Sequence, residues 1–138
     1  MNRESTSQPE RPLLALVILA VRDVARAIAF YRACFDWKQT VDEEVYAEFQ
    51  TEGGFRIGLY EQRAFEGTAC CKVMAAPEGQ LTGVELYFYV DDITRVCQQF
   101  MTAGAHQSSP RSMRHWGEEA AYFKDLDGHL LVVAKRLT

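Results

Sequence analysis

The chain has 138 residues, of which 48% are apolar and 25% charged, and a formal net charge of −4. These values are typical of one globular domain and give no positively charged surface, so we expect neither nucleic acid nor a membrane as a partner. The longest apolar run, residues 13–21, has less than half of the roughly 20 residues that a membrane-spanning helix needs. Charged residues flank it at Glu4 and Arg22 without a small-residue cleavage site, so the sequence predicts no export signal.

Cysteine spacing gives a second expectation about location. None of the four cysteines forms a C-x-x-C motif, and Cys34 and Cys97 fall within helical periodicity, where a thiol acts as a small apolar group. We therefore expect a reducing, cytoplasmic setting. A redox or nucleophilic thiol at Cys70 or Cys71 stays open as an alternative.

The first half of the chain predicts a strand, a helix and three more strands. Residues 1–12 are polar and predict a disordered lead-in, whereas residues 13–138 are expected to form a single domain. The aliphatic run 13–21 predicts a strand buried on both faces, and Asp23 after it is a good helix N-cap. Three shorter strands follow at 38–41, 45–51 and 55–61, the last two joined by a Gly53-Gly54 turn.

The second half repeats this order after a less patterned stretch. Residues 63–82 predict a connector, in which 70–75 could add an edge segment. Residues 84–90 alternate between apolar and other side chains, which indicates a strand, and Asp92 is placed to cap a helix. Strands are then predicted at 106–110, 120–124 and 129–136.

The two halves can be superposed along the sequence. A shift of 69 residues takes Asp23 onto Asp92, and a shift of 74 takes Gly54 onto Gly128. Agreement in both the helix and the closing strand indicates an internal duplication. The sequence therefore predicts module one over residues 13–62, a connector over 63–82 and module two over 83–136.

Six short stretches carry a family resemblance. They are Ala-Val-Arg-Asp-Val at 20–24, Ala-Phe-Tyr at 29–31, Phe-Asp-Trp at 35–37, Val-Asp-Asp at 90–92, Trp-Gly at 116–117 and Phe-Lys-Asp-Leu-Asp-Gly-His at 123–129. In their order and spacing the chain resembles the vicinal oxygen chelate superfamily, which includes glyoxalase I, extradiol dioxygenases, and fosfomycin- and bleomycin-resistance proteins. The resemblance implies an α+β fold of two βαβββ modules, with curved mixed sheets around a central cleft that holds the ligand. It also implies a homodimer.

The same resemblance locates the positions where metal-dependent members carry their ligands, on the first and fourth strands of each module. Carried onto this chain, those positions are Leu16, Gly58, Glu85 and Val132. Leucine, glycine and valine have no side-chain donor, whereas a catalytic divalent metal takes about three protein ligands. We therefore expect no metal and no other cofactor.

The alternation of residues 84–90 leaves Glu85, Tyr87 and Tyr89 on the face that lines the cleft. The predicted ligand-contacting residues are Leu16, Ile18, Tyr60, Glu85, Tyr87, Tyr89, Trp116 and Val132, with Trp116 coming from the resemblance alone. An aromatic pocket with one carboxylate suits a flat or cationic small molecule. The tyrosines could equally be sheet packing, and Glu85 could form an ion pair with Arg56 or Arg114.

The leading hypothesis is a metal-independent, small-molecule-binding protein of the bleomycin-resistance type, acting in sequestration or as an accessory protein. The alternative is an enzyme of the same superfamily, similar to a lactoylglutathione lyase or a dioxygenase. It would use Glu85 as the catalytic acid or base, or an atypical metal site. A third hypothesis is a regulatory or interaction module without a working pocket.

Overall fold

The computed structural model describes residues 8–74 and 76–136. The first module contains β1 (Val17–Val21), α1 (Val24–Phe35), β2 (Lys38–Asp42), β3 (Tyr46–Gln50) and β4 (Arg56–Glu61), with a short 3-10 turn at Glu52–Gly54. Helix α2 (Gln62–Ala69) follows. The second module contains β5 (Glu85–Tyr89), α3 (Ile93–Ala103), β6 (His106–Met113), β7 (Glu119–Lys124) and β8 (Leu130–Lys135).

Each module forms a four-stranded mixed sheet with the same strand order. The orders are β1-β4-β3-β2 and β5-β8-β7-β6, and in both sheets the first and fourth strands are parallel while the other pairs are antiparallel. The registers also correspond, because Ile18 lies opposite Gly58 in one sheet and Tyr87 opposite Val132 in the other. The predicted α+β fold of two βαβββ modules is confirmed.

The two long helices begin in the same way. The side chains of Asp23 and Asp92 each accept a hydrogen bond from the backbone N–H three residues on, at 3.1 Å, which satisfies a donor at the first turn. Helix α1 ends at Asp36, whose φ of 54° lies in the left-handed region. Aspartate tolerates this conformation better than most residues.

Helices α1 and α3 pack against each other, and each also packs against its own sheet. The resulting core contains large aromatic side chains from both modules, among them Tyr31, Phe49, Phe100 and Phe123, all at most 1% exposed. The two modules therefore share one hydrophobic core rather than forming two separate ones.

Buried polar groups connect the modules at the turn between β7 and β8. The Tyr31 hydroxyl donates to Asp125 Oδ2 at 2.6 Å, and Asp125 Oδ1 accepts the backbone N–H groups of Asp127 and His129 at 2.9 Å. The His129 ring reaches the Ala20 carbonyl through Nε2 at 2.9 Å. Because these groups are buried and hydrogen-bonded, they fix the second module's turn against the first module.

Three predictions about elements are wrong in detail. Strand β1 begins at Val17, and Leu13 and Leu14 are 90% and 70% exposed, because β1 is an edge strand whose start has no cover. The connector contains helix α2, which the sequence pattern did not indicate; Glu61 caps it by accepting the N–H groups of its first residues. The described residues of the predicted edge segment, 70–74, form no strand.

Residues 1–7 of the predicted lead-in lie outside the described residues, and residues 8–12 form neither helix nor strand. Among the residues that the structure describes, no helix is both long and apolar enough to cross a membrane.

Candidate functional site

Each sheet has an inner face against the helices and an outward face. In β5, Leu86 and Phe88 pack against the common core, which leaves Glu85, Tyr87 and Tyr89 on the outward side. The alternation of apolar and polar positions therefore places these three side chains as the sequence analysis expected.

A cavity of about 690 Å³ lies between the modules and is largely apolar. The first module contributes Leu16, before β1, and Phe55, before β4, while the second contributes Glu85, Tyr87 and Tyr89 from β5. Its size and predominantly apolar lining are those of a small-molecule site.

Stacked aromatic rings form one side of this cavity. The rings of Phe35 and Trp37 lie 4.0 Å apart and nearly parallel, and Phe88 is tilted against Phe35 at 4.6 Å. These contacts hold the rings in place, so the cavity presents a rigid aromatic surface.

The structure brings four of the eight predicted ligand-contacting residues to the cavity, namely Leu16, Glu85, Tyr87 and Tyr89. Ile18 lies on the outward face of β1 with 38% of its surface exposed. The Tyr60 hydroxyl lies 2.8 Å from Thr68 Oγ1 of helix α2. These two residues lie on the outward face of the first sheet, and their contact with a ligand stays a prediction.

The other two predicted residues belong to the outward face of the second sheet. Val132 is fully buried in a small apolar cluster, against which Tyr87 and Tyr122 pack from the neighbouring strands. Trp116 is 45% exposed and donates from Nε1 to the Tyr87 hydroxyl at 3.0 Å. Val132 therefore packs beneath Tyr87 and Tyr122, and Trp116 lies beside Tyr87 at the surface.

Glu118 organises this outward face, and the sequence analysis missed it. Its Oε1 accepts the Tyr87 hydroxyl at 2.5 Å and its Oε2 accepts the Tyr89 hydroxyl at 2.8 Å. We name Tyr87, Tyr89, Trp116 and Glu118 the tyrosine–glutamate cluster. The Trp-Gly pair at 116–117 located the loop, but strand periodicity gives no information on which loop residue reaches the sheet.

The hydrogen bonds of the cluster also shift its ionisation. The two tyrosine hydroxyls, Tyr87 first, hold the pKa of Glu118 below its usual range because they stabilise the carboxylate. Desolvation, followed by the hydrogen bond to Glu118, raises the pKa of Tyr87 to about 12. At neutral pH the cluster is therefore one carboxylate held between two neutral phenols.

Glu85 is exposed, and the ion pair with Arg56 or Arg114 that the sequence left open as an alternative does not form among the described residues. Arg56 instead pairs with Glu48 at 2.8 Å, a carboxylate that is only 7% exposed and needs a charged partner. Arg114 donates to the carbonyl groups of Pro110 and Ala120. Both arginines are thus bound to other groups of their own modules and make no ion pair with Glu85 among the described residues.

The positions that carry metal ligands in the resembling family do not fit a metal here. At Gly58 an added Cβ would lie 2.4 Å from the Tyr46 hydroxyl, so the tyrosine fills the space where a longer side chain would project. That hydroxyl donates to Glu48 at 2.7 Å, so the one carboxylate beside Gly58 is held by Tyr46 and Arg56. Within the described ranges, no group of three His, Cys, Asp or Glu side chains is placed to hold a metal ion. With Glu85 the only donor among the four positions, the donor set does not support metal chemistry.

Comparison with known proteins places this geometry in context. The family model described as a glyoxalase-like domain matches residues 14–138. A search of curated proteins finds no match.

Several solved structures have a similar fold. A glyoxalase-related enzyme from Fulvimarina pelagi is 20% identical, with a TM-score of 0.79 over 90% of this chain and 88% of the other. A protein of unknown function from Agrobacterium tumefaciens is 28% identical, with a TM-score of 0.73 over 94% and 97% of the two chains. The fosfomycin resistance protein FosX from Mesorhizobium loti is 16% identical, with a TM-score of 0.66 over 92% and 94%.

Proposed function

The chain belongs to the glyoxalase-like domain family, and from the cavity between its modules we propose that it binds a flat or cationic small molecule without a metal ion. The observation that carries the proposal is the combination of an aromatic cavity with metal-ligand positions occupied by Leu16, Gly58 and Val132. Such a site binds by stacking and by contact with one carboxylate, in the manner of a bleomycin-resistance-type protein. Its role would be sequestration or that of an accessory protein.

The lining of the cavity supports this chemistry. The stacked Phe35 and Trp37 rings offer area for a planar group, and Glu85 offers an exposed carboxylate at the same cavity. A planar cation would bury its ring against the aromatic groups and keep its charge near Glu85.

A screen of aromatic fragments in the presence of EDTA tests the proposal. We expect fragments that raise the melting temperature of the protein, and we expect Leu16→Asp to abolish their effect because it places a charge in the cavity wall. Val45→Asp is the matched control, since Val45 is 39% exposed and lies outside the cavity lining. A screen without hits, or hits that Leu16→Asp leaves unchanged, would contradict the proposal.

The second candidate function is an enzyme with Glu85 as the general acid or base. The observation that favours it is an exposed carboxylate at the cavity wall with no hydrogen bond or ion pair to other described residues. If Glu85 transfers a proton, Glu85→Gln lowers turnover of any substrate found by about 10²–10⁴-fold while binding changes little. In a pure binding protein, the same variant changes affinity alone.

A further inference from the structure

Arg136, just after the end of β8, already places a cation on the tyrosine–glutamate cluster. Its guanidinium carbon lies 4.4 Å from the centre of the Tyr89 ring. The Tyr89 side chain is 49% exposed. The described part of the chain offers Arg136 neither a hydrogen bond nor an ion pair. The Tyr89 ring is thus the main close contact of this exposed guanidinium, whose charge also acts on the Glu118 carboxylate.

Arg114, which also lies over a tyrosine ring of this sheet, can be compared with Arg136. Arg114 lies over the Tyr122 ring at 4.8 Å, but its guanidinium also donates to the Pro110 and Ala120 carbonyl groups, which fix it. The Tyr122 ring is therefore covered by a guanidinium that hydrogen bonds hold, whereas the guanidinium over the Tyr89 ring makes no hydrogen bond to other described residues.

The cluster also favours cations over neutral molecules. The Tyr89 hydroxyl is held by the Glu118 carboxylate at 2.8 Å, and the Tyr87 hydroxyl by the same group, so the polar edges are used internally and the ring faces are left for a ligand. A carboxylate behind electron-rich rings attracts a positive group in front of them.

We propose that the tyrosine–glutamate cluster recognises the guanidinium or amidinium group of a ligand, and that Arg136 is its internal competitor. This inference rests on the proposed small-molecule function and names the charged part of the ligand. Tyr87, Tyr89 and Arg136 line the inter-module cavity as well, so a ligand that fills the cavity can place its cationic group on Tyr89.

The test uses benzamidine and its neutral relative benzamide, titrated into the full chain and followed by the NMR shifts of the Trp116 indole N–H. We expect benzamidine to bind about two- to thirtyfold more tightly than benzamide, the factor that a cation–π contact of roughly 0.5–2 kcal/mol gives. Arg136→Gln should tighten benzamidine binding about three- to tenfold by freeing the ring. Tyr89→Leu should remove the preference for benzamidine.

Arg95→Gln provides the control, because it removes the same charge from an exposed position on helix α3 and should leave both affinities unchanged. Equal binding of the two probes, or weaker benzamidine binding in Arg136→Gln, would overturn the inference. If that happens while neutral fragments still bind in a Leu16-dependent manner, the proposed function stands and only the cation assignment fails. If no fragment binds at all, both fail.

Discussion

The outward faces of the two sheets differ although the strands beneath them correspond in order and register. In the first sheet, the fourth-strand position is Gly58, covered by Tyr46, and the charge beside it is neutralised by the Glu48–Arg56 ion pair. In the second sheet, that position is the buried Val132, and a loop carboxylate, Glu118, joins the exposed tyrosines. The backbone and the core kept the same packing in both modules, whereas the outward faces, which lie away from helices α1 and α3, diverged in chemistry.

The turns that precede the fourth strands give the strongest test of this comparison. Asp125→Ala should lower the free energy of unfolding by about 3–5 kcal/mol, since it leaves a buried tyrosine hydroxyl and two backbone N–H groups without their acceptor. Thr51 occupies the corresponding place in the first module and bonds only within its own turn. Thr51→Ala should cost less than about 1 kcal/mol. Urea denaturation measures both, and equal losses would contradict the asymmetry.

Gly58→Ala tests whether Tyr46 closes the first sheet's face. The new Cβ would clash with the Tyr46 hydroxyl and lie 2.8–2.9 Å from two carbons of its ring, so we expect a loss of about 1–3 kcal/mol from overpacking. In a Tyr46→Leu background the same substitution should cost much less, which a double-mutant cycle detects as coupling. Additive losses would show that Tyr46 does not occupy this space.

Tyr87→Phe addresses the second sheet's face. It removes the hydroxyl that joins Glu118 to Trp116, and we expect a loss of about 1–2 kcal/mol in unfolding free energy. The matched control is Tyr60→Phe, whose hydroxyl contacts only the exposed Thr68 hydroxyl and should cost less than about 0.5 kcal/mol. Tyr87→Phe should also shift the fluorescence of Trp116, whereas Tyr60→Phe should not. If Tyr87→Phe leaves the fluorescence unchanged, the Trp116 loop does not contact the sheet through Tyr87.

The smallest expected effect is a dependence of stability on acid pH. Because the pKa of Glu118 is held below its usual 4.5, the carboxylate adds stability above about pH 4.5, and this contribution is lost as pH falls through the lowered folded value. Glu118→Gln should flatten this part of the acid limb of the stability curve. The Tyr87→Phe/Tyr89→Phe double variant should flatten the curve in the same way, because it removes the two hydroxyl groups whose hydrogen bonds lower the pKa of Glu118. Acid limbs that match the wild type in both variants would refute the assignment.

Most of the backbone of this fold could be predicted because all elements except helix α2 have a local signal in the sequence. Alternation identified β5, Asp23 and Asp92 located the helix starts, and the duplication supplied the order of the remaining strands. Helix α2 was missed because it is short, contains Gly67, and begins at Glu61 rather than at one of the usual capping residues.

The candidate site could be predicted only in part, for a physical reason. Periodicity shows which side of a strand a residue faces, and this predicted that Glu85, Tyr87 and Tyr89 share the side of β5 that lies at the cavity. Leu16, which precedes β1, was proposed from the family resemblance. Periodicity gives no information on which loop covers that side. The role of Glu118 depends on the β6–β7 loop reaching Tyr87, and the burial of Val132 depends on packing by Tyr87 and Tyr122 from the neighbouring strands. The Glu118–Tyr87 and Val132–Tyr87 contacts join residues far apart in sequence.

Divalent metal binding tests the central claim most directly. Calorimetry with Mn(II), Ni(II), Zn(II) and Fe(II) on metal-stripped protein should use a Cys70→Ser/Cys71→Ser background, because those two exposed thiols could bind thiophilic ions elsewhere. We predict no saturable metal binding that depends on Glu85. Binding of about one ion per chain at micromolar concentration, abolished by Glu85→Ala, would contradict this prediction and restore a metal-dependent reaction at this cavity.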